Sequence, residues 1–97
     1  MNTTATTPLA ADWPTRIEQA RDDLQTALFL ARDQDRDGAR DALILCRGDL
    51  PHGSRARKLC QQILNELSVG IRPSFHRTTL LREYIEDAYD AAITDQD

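Results

Sequence analysis

The sequence is poor in several features that mark whole classes of proteins. Valine, lysine, methionine and tryptophan each occur once, and aromatic residues make up 5% of the 97 residues. The longest uninterrupted apolar runs are only five residues, at 27–31 and 42–46. Neither a basic segment nor an apolar segment follows Met1. These absences predict that the chain has no signal peptide and no membrane-spanning helix.

The apolar residues that are present favour helices. Leucine and alanine occur twelve times each, against a single valine. Straight side chains lose little rotamer freedom in a helix, whereas β-branched residues favour strands. A chain of 97 residues has room for one modest core. The composition therefore predicts a single all-α domain with a thin core.

Apolar residues at helical spacing predict four helices, over about 13–33, 38–47, 54–69 and 75–93. The Thr-rich segment 1–11 has no such spacing and is predicted to be a disordered tail, so the domain covers 12–97. Short connections between the helices favour a small helical bundle. Whether segment 33–38 is a loop or a kink is left open.

Local chemistry predicts where three of the helices begin or end. Thr15 with Glu18 has the spacing of a capping box for the first helix, and Asp37 is a candidate N-cap for the second. Ser54 is the expected N-cap of the third helix. Gly70 is expected to end that helix in a left-handed conformation.

No metal or cofactor site is predicted. Segment 33–38 resembles the first half of a calcium loop, but Ile44 stands where a bidentate glutamate is required. Cys46 and Cys60 are too far from each other, and from His52 and His76, for the close ligand pairs of zinc sites. Both cysteines fall on apolar stripes, so we expect buried, reduced thiols in a cytoplasmic protein.

Charge is distributed unevenly along the chain. The net charge of −4 combines −3 over residues 1–46, +5 over residues 47–82 and −6 over residues 83–97. The helical wheel places basic side chains on the solvent face of the third helix and acidic side chains on that of the fourth. Phe29 falls on the polar face of the first helix, and Leu80 is a second apolar outlier. The candidate partner-binding residues are Phe29, Leu80, Arg55, Lys58, Arg72, Arg77, Glu83, Glu86, Asp87 and Asp90.

These charges allow three interpretations: solvated faces, a protein-binding surface, and nucleic-acid binding through a helix-turn-helix formed by the third and fourth helices. The connection at 70–74 is long for a helix-turn-helix, and its recognition helix would be acidic. The sequence therefore predicts a small non-enzymatic regulator or adaptor, of prokaryotic or phage type, that binds another protein. A homodimer is the simplest such arrangement. Nucleic-acid binding through the basic stretch 47–82 is the alternative.

Overall fold

The computed structural model describes the backbone of residues 6–96 and the side chains of residues 13–94. The chain forms four helices: α1 (Thr6–Arg32), α2 (Arg36–Gly48), α3 (Arg55–Ser68) and α4 (Phe75–Gln96). Each helix packs against the next one along the chain, and α4 packs against α1. The protein is therefore an all-α bundle of four helices, as predicted, and the helices follow an up-and-down order.

The core lies along the bundle axis and takes side chains from every helix. Its largest fully buried members are Ile17 and Leu24 from α1, Ile63 from α3, and Leu81 and Ile85 from α4. Helix α2 contributes a leucine, an alanine and a cysteine, and the loop after it contributes Leu50. Buried alanines from α1, α2 and α3 belong to the same core, which explains how a composition with few large hydrophobes fills it.

Helix α1 begins earlier than the sequence predicted. Helical backbone starts at Thr6 rather than near residue 13, and residues 1–5 of the predicted tail lie outside the described residues. The Thr15–Glu18 capping box is wrong, because both residues lie inside the helix. Pro8 is compatible with this start, since amides in the first helical turn have no intrahelical acceptor.

The segment between the first two helices is a tight loop rather than a kink. Gln34 adopts a left-handed conformation with φ of 66°, which reverses the chain between α1 and α2. The N-cap of α2 is Asp35, whose carboxylate accepts a hydrogen bond from the amide of Gly38 at 3.0 Å. The prediction of Asp37 is wrong: that residue lies in the first turn, where its charge favours the helix dipole.

In the connection between α2 and α3, a single arginine donates hydrogen bonds to two backbone carbonyl groups. Arg57 donates hydrogen bonds to the carbonyl oxygens of Arg47 and Leu50, at 3.1 and 3.0 Å. Ser54 is the N-cap of α3, as predicted, and accepts from the amide of Arg57. These bonds satisfy backbone groups that a helix end otherwise leaves unpaired.

The connection between α3 and α4 begins with a Schellman motif. The amide of Ile71 donates to the carbonyl of Glu66, and the amide of Gly70 donates to that of Leu67. Gly70 has a φ of 86°, so the prediction that it ends α3 is confirmed. Ser74 then accepts from the amide of Arg77 and caps α4.

Candidate functional site: the loop end of the bundle

Several large apolar side chains of the described residues remain on the surface. The most exposed are Phe75 at 87% and Val69 at 73%, followed by Phe29, Leu45 and Ile71 at 62%, 61% and 52%. Three of these five, Val69, Ile71 and Phe75, lie within the short stretch from the end of α3 to the start of α4. Clustered exposure of this kind is typical of a protein–protein interaction site.

This stretch borders a cavity at one end of the bundle. We call this end the loop end: it is formed by the α1–α2 connection (33–35) and the α3–α4 connection (69–74). The cavity has a volume of about 270 Å³ and extends between the two connections. Apolar side chains form much of its wall: Ala31, Ala39, Leu67, Ile71 and Pro73. It is too small for a typical cofactor and suits one or two side chains of a partner.

Two arginines lie at this cavity. Arg36 begins α2, Arg72 follows the Schellman motif, and both side chains are exposed. Neither has a hydrogen bond or an ion pair to any other described side chain. A site that combines an apolar wall with two available guanidinium groups can bind an apolar side chain and a neighbouring carboxylate together.

Phe29, near the end of α1, lies close in level to the loop end. Arg21 donates to Glu86 at 3.0 Å, and the Tyr89 hydroxyl donates to Glu18 at 3.4 Å. From the first bonded pair to the second, the residue on α1 moves three positions toward the N-terminus while the residue on α4 moves three positions toward the C-terminus. The two helices are therefore antiparallel, and these pairs fix which residues lie opposite each other. The same register places Phe29 opposite the first turn of α4, where Phe75 lies. The prediction that Phe29 is exposed on a polar face is confirmed.

The structure places three of the predicted candidates in contacts within the chain. Leu80 is half-buried and packs against the core, so it is less exposed than its place on the helical wheel suggested. Glu86 faces α1 and pairs with Arg21, rather than lying with the other acidic residues of α4. Arg77 forms an ion pair with Glu66 and a hydrogen bond to Gln62, joining α4 to α3.

Five of the remaining charged candidates form two strips on the exposed sides of α3 and α4. Arg55 and Lys58 are exposed on α3 and form the basic strip; Glu83, Asp87 and Asp90 are exposed on α4 and form the acidic strip. Arg55 lies over the ring of Tyr84 at 5.9 Å. No ion pair among the described residues joins one strip to the other. The two strips therefore lie side by side without pairing.

The arrangement of α3 and α4 differs from a helix-turn-helix. Arg55, at the start of α3, contacts Tyr84, and Glu66, near its end, contacts Arg77. The two helices are therefore antiparallel neighbours along the whole of α3, whereas the helices of a helix-turn-helix cross at a steep angle. Arg47, in the same basic stretch, is engaged with Gln61 at 2.5 Å.

The two cysteines are free and fully buried where α2 meets α3. The Cys60 thiol lies 3.4 Å from the carbonyl oxygen of Leu43, to which it donates. The hydrogen bond with Cys60, together with burial, raises the pKa of the Cys46 thiol well above its ordinary value. Held neutral in this way, the Cys46 thiol is a poor nucleophile and a poor metal ligand. Across residues 13–94, no three His, Cys, Asp or Glu side chains gather as a metal site would require.

Sequence reasoning missed four residues at this end: Val69, Ile71, Phe75 and Arg36. Val69 and Ile71 lie in a loop, which carries no helical period from which a face can be read, and Phe75 and Arg36 are the first residues of their helices. The available signal was compositional: apolar residues on either side of Gly70 and before Pro73, in a segment where polar turn residues are usual.

The fold defines a small up-and-down bundle of four helices. Comparisons of the chain with protein-family models, with curated proteins and with solved structures found no match. Within the described residues, none of the helices is long and apolar enough to span a bilayer.

Proposed function

We propose that this chain acts by binding another protein at the loop end, as an adaptor or regulator with no enzymatic activity of its own. The observation that carries the proposal is the exposure of Val69, Ile71 and Phe75 at the end of the bundle that holds a partly apolar cavity. Burying such side chains against a partner removes apolar surface from water, which drives most protein association. A cytoplasmic location is part of the proposal, and the reduced state of both cysteines supports it.

The chemistry of the site favours one kind of partner segment. Arg36 and Arg72 are exposed at the cavity, so an incoming carboxylate would find donors there. The apolar wall would accept a large apolar side chain from the same segment. The proposed ligand is therefore a peptide segment of another protein in which an apolar residue stands next to Asp, Glu or a C-terminal carboxylate.

A peptide-display selection on the full chain tests this proposal. A random peptide library is selected against the immobilised protein, and the enriched peptides are measured against variants by titration. We expect enriched peptides to combine apolar and acidic residues. Phe75→Asp and Arg72→Glu should each weaken their binding by about tenfold or more, since central anchors carry most interface energy.

Leu45→Asp is the matched control for Phe75→Asp, because Leu45 is also exposed but lies on α2 away from the cavity. It should leave peptide affinity unchanged. The proposal fails if no peptide is enriched, or if the enriched peptides bind the loop-end variants as tightly as they bind the original chain.

Self-association as a homodimer, predicted from the sequence, is retained in the proposal. Nucleic-acid binding through residues 47–82 is not favoured by a specific observation. Three arginines of that stretch, Arg47, Arg57 and Arg77, are engaged within the chain, which leaves fewer available to phosphates.

A further inference from the structure

The face formed by α3 and α4 has charges of opposite sign on its two sides. The basic strip, Arg55 and Lys58, follows α3, and the acidic strip, Glu83, Asp87 and Asp90, follows α4. Between them lies the seam of the two helices, with the half-buried side chains of Leu80 and Tyr84. An apolar seam with charges on both flanks is the pattern by which paired helices select their partners.

The two strips are also matched in height along the bundle. Arg55 and Asp87 line the same shallow depression, so they lie at one level. Lys58 is one helical turn further along α3, and Glu83 is one turn earlier along α4. Because the two helices are antiparallel, Lys58 and Glu83 also lie at one level. Each basic residue is thus level with an acidic residue along the bundle.

Only a two-fold axis parallel to the helices places strips of opposite charge against each other. If a second copy faces the first across an axis parallel to the helices, each α3 lies against the α4 of the other copy at the same height. Arg55 then meets Asp87 of the second copy, and Lys58 meets Glu83 of the second copy. An axis perpendicular to the helices would place basic on basic and acidic on acidic, which is repulsive.

We propose that the occupant of this face is a second copy of the chain, held by the exchange of its basic and acidic strips across a two-fold axis parallel to α3 and α4. The inference rests on the proposed function only in the expectation of self-association; it does not involve the loop end. Leu80 and Tyr84 lie at the centre of the interface, where a tyrosine is a favourable anchor. Exposed ion pairs contribute little free energy and are screened by salt, so we expect a weak dimer that weakens further as ionic strength rises.

Two charge-reversed variants of the full chain test the arrangement. The acidic variant carries Arg55→Glu and Lys58→Glu; the basic variant carries Glu83→Lys and Asp87→Lys. All four side chains are exposed, so both variants should keep the helical circular dichroism of the original chain. Each variant alone has like charges on both strips, and we expect its dimer dissociation constant to rise by about tenfold or more.

Mixing the two variants gives the decisive measurement. In the mixed pair every strip again meets its opposite, so equimolar mixing should produce a one-to-one heterodimer, measured by sedimentation velocity at low salt. Arg32→Glu with Arg40→Glu makes the same change in net charge as the acidic variant, at exposed positions of α1 and α2. This control should dimerise like the original chain.

Three results would overturn the inference: an original chain that stays monomeric up to about millimolar concentration at low salt, charge-reversed variants that dimerise like the original, or a mixture that does not recover the dimer. The loop end is tested separately. Phe75→Asp should weaken peptide binding without changing this dimer, so a failure of the two-fold dimer and a failure of the loop-end site give different results.

Discussion

At the scale of single residues, the Cys46 thiol makes stability depend on pH. Its pKa is raised in the folded chain by the hydrogen bond with Cys60 and by burial. In the unfolded chain the thiol ionises near pH 8.5. The unfolded state therefore loses this proton first, and the stabilisation, complete below that pH, is lost as the pH rises. We expect the free energy of unfolding to fall by up to about 1.4 kcal/mol per pH unit above about pH 8.5.

Urea unfolding between pH 7 and pH 10 measures this fall, and Cys46→Ala is the comparison. The variant should be less stable at pH 7, by about 1–3 kcal/mol, because it leaves a cavity at a fully buried position. Its stability should nevertheless decline less steeply in alkali than that of the original chain. Equal slopes for the two proteins would show that the Cys46 thiol does not carry the effect.

At the scale of the helices, two glycines at helix ends have opposite roles. Gly48 is the last residue of α2 and has open space where a Cβ would stand. Gly70 follows the end of α3 with a φ of 86°, a conformation that costs an L-residue about 1–2 kcal/mol. Gly48→Ala should therefore raise the free energy of unfolding by about 0.4–1 kcal/mol, and Gly70→Ala should lower it by about 1 kcal/mol or more.

Thermal and urea unfolding of the two alanine variants provide the measurement. They are matched, since each adds one methyl group into open space and they differ in backbone conformation alone. A destabilising Gly48→Ala, or a neutral Gly70→Ala, would contradict this account of how α2 and α3 end.

The helix ends also show how far local sequence determines structure. Ser54 and Gly70 were predicted because each acts on amides or carbonyls within a few residues, so no distant contact is required. The N-cap of α2 was predicted two residues too late, at Asp37 rather than Asp35, because the two side chains are chemically equivalent. The left-handed Gln34 decides between them, and glutamine carries no strong preference for that conformation.

Features that depend on neighbouring helices could not be predicted from the sequence. A helical wheel places Leu80 outside its own stripe, yet α4 has neighbours on two sides and the side chain packs against the core. The contact of Glu86 with Arg21 joins residues 65 positions apart, and no local pattern encodes it. The loop-end cavity similarly needs two connections that lie far apart in the chain.

At the scale of the whole molecule, the two ends of the bundle differ in how many helices support them. Helices α2 and α3 have 13 and 14 residues, whereas α1 and α4 have 27 and 22. Arg16 of α1 already bonds to the last residue of α2, at 2.9 Å. Tyr84 to Ala88 of α4 lie beside the start of α3. Beyond these levels, among the described residues, α1 and α4 have only each other to pack against.

This asymmetry predicts a gradient of amide hydrogen exchange along α4. Amides near Leu81 and Ile85, which are fully buried, should exchange only through global opening. Amides of residues 91–94 lie in the two-helix part and should exchange through smaller, local openings. Residue-resolved exchange by NMR measures both.

The loop end should behave differently, because all four helices support it. We expect the amides of Leu67 and Gly70 to be protected from exchange like those of the core. A binding site that is already ordered loses little entropy when a partner docks. Uniform protection along α4, or rapid exchange at Leu67, would contradict this division of the bundle.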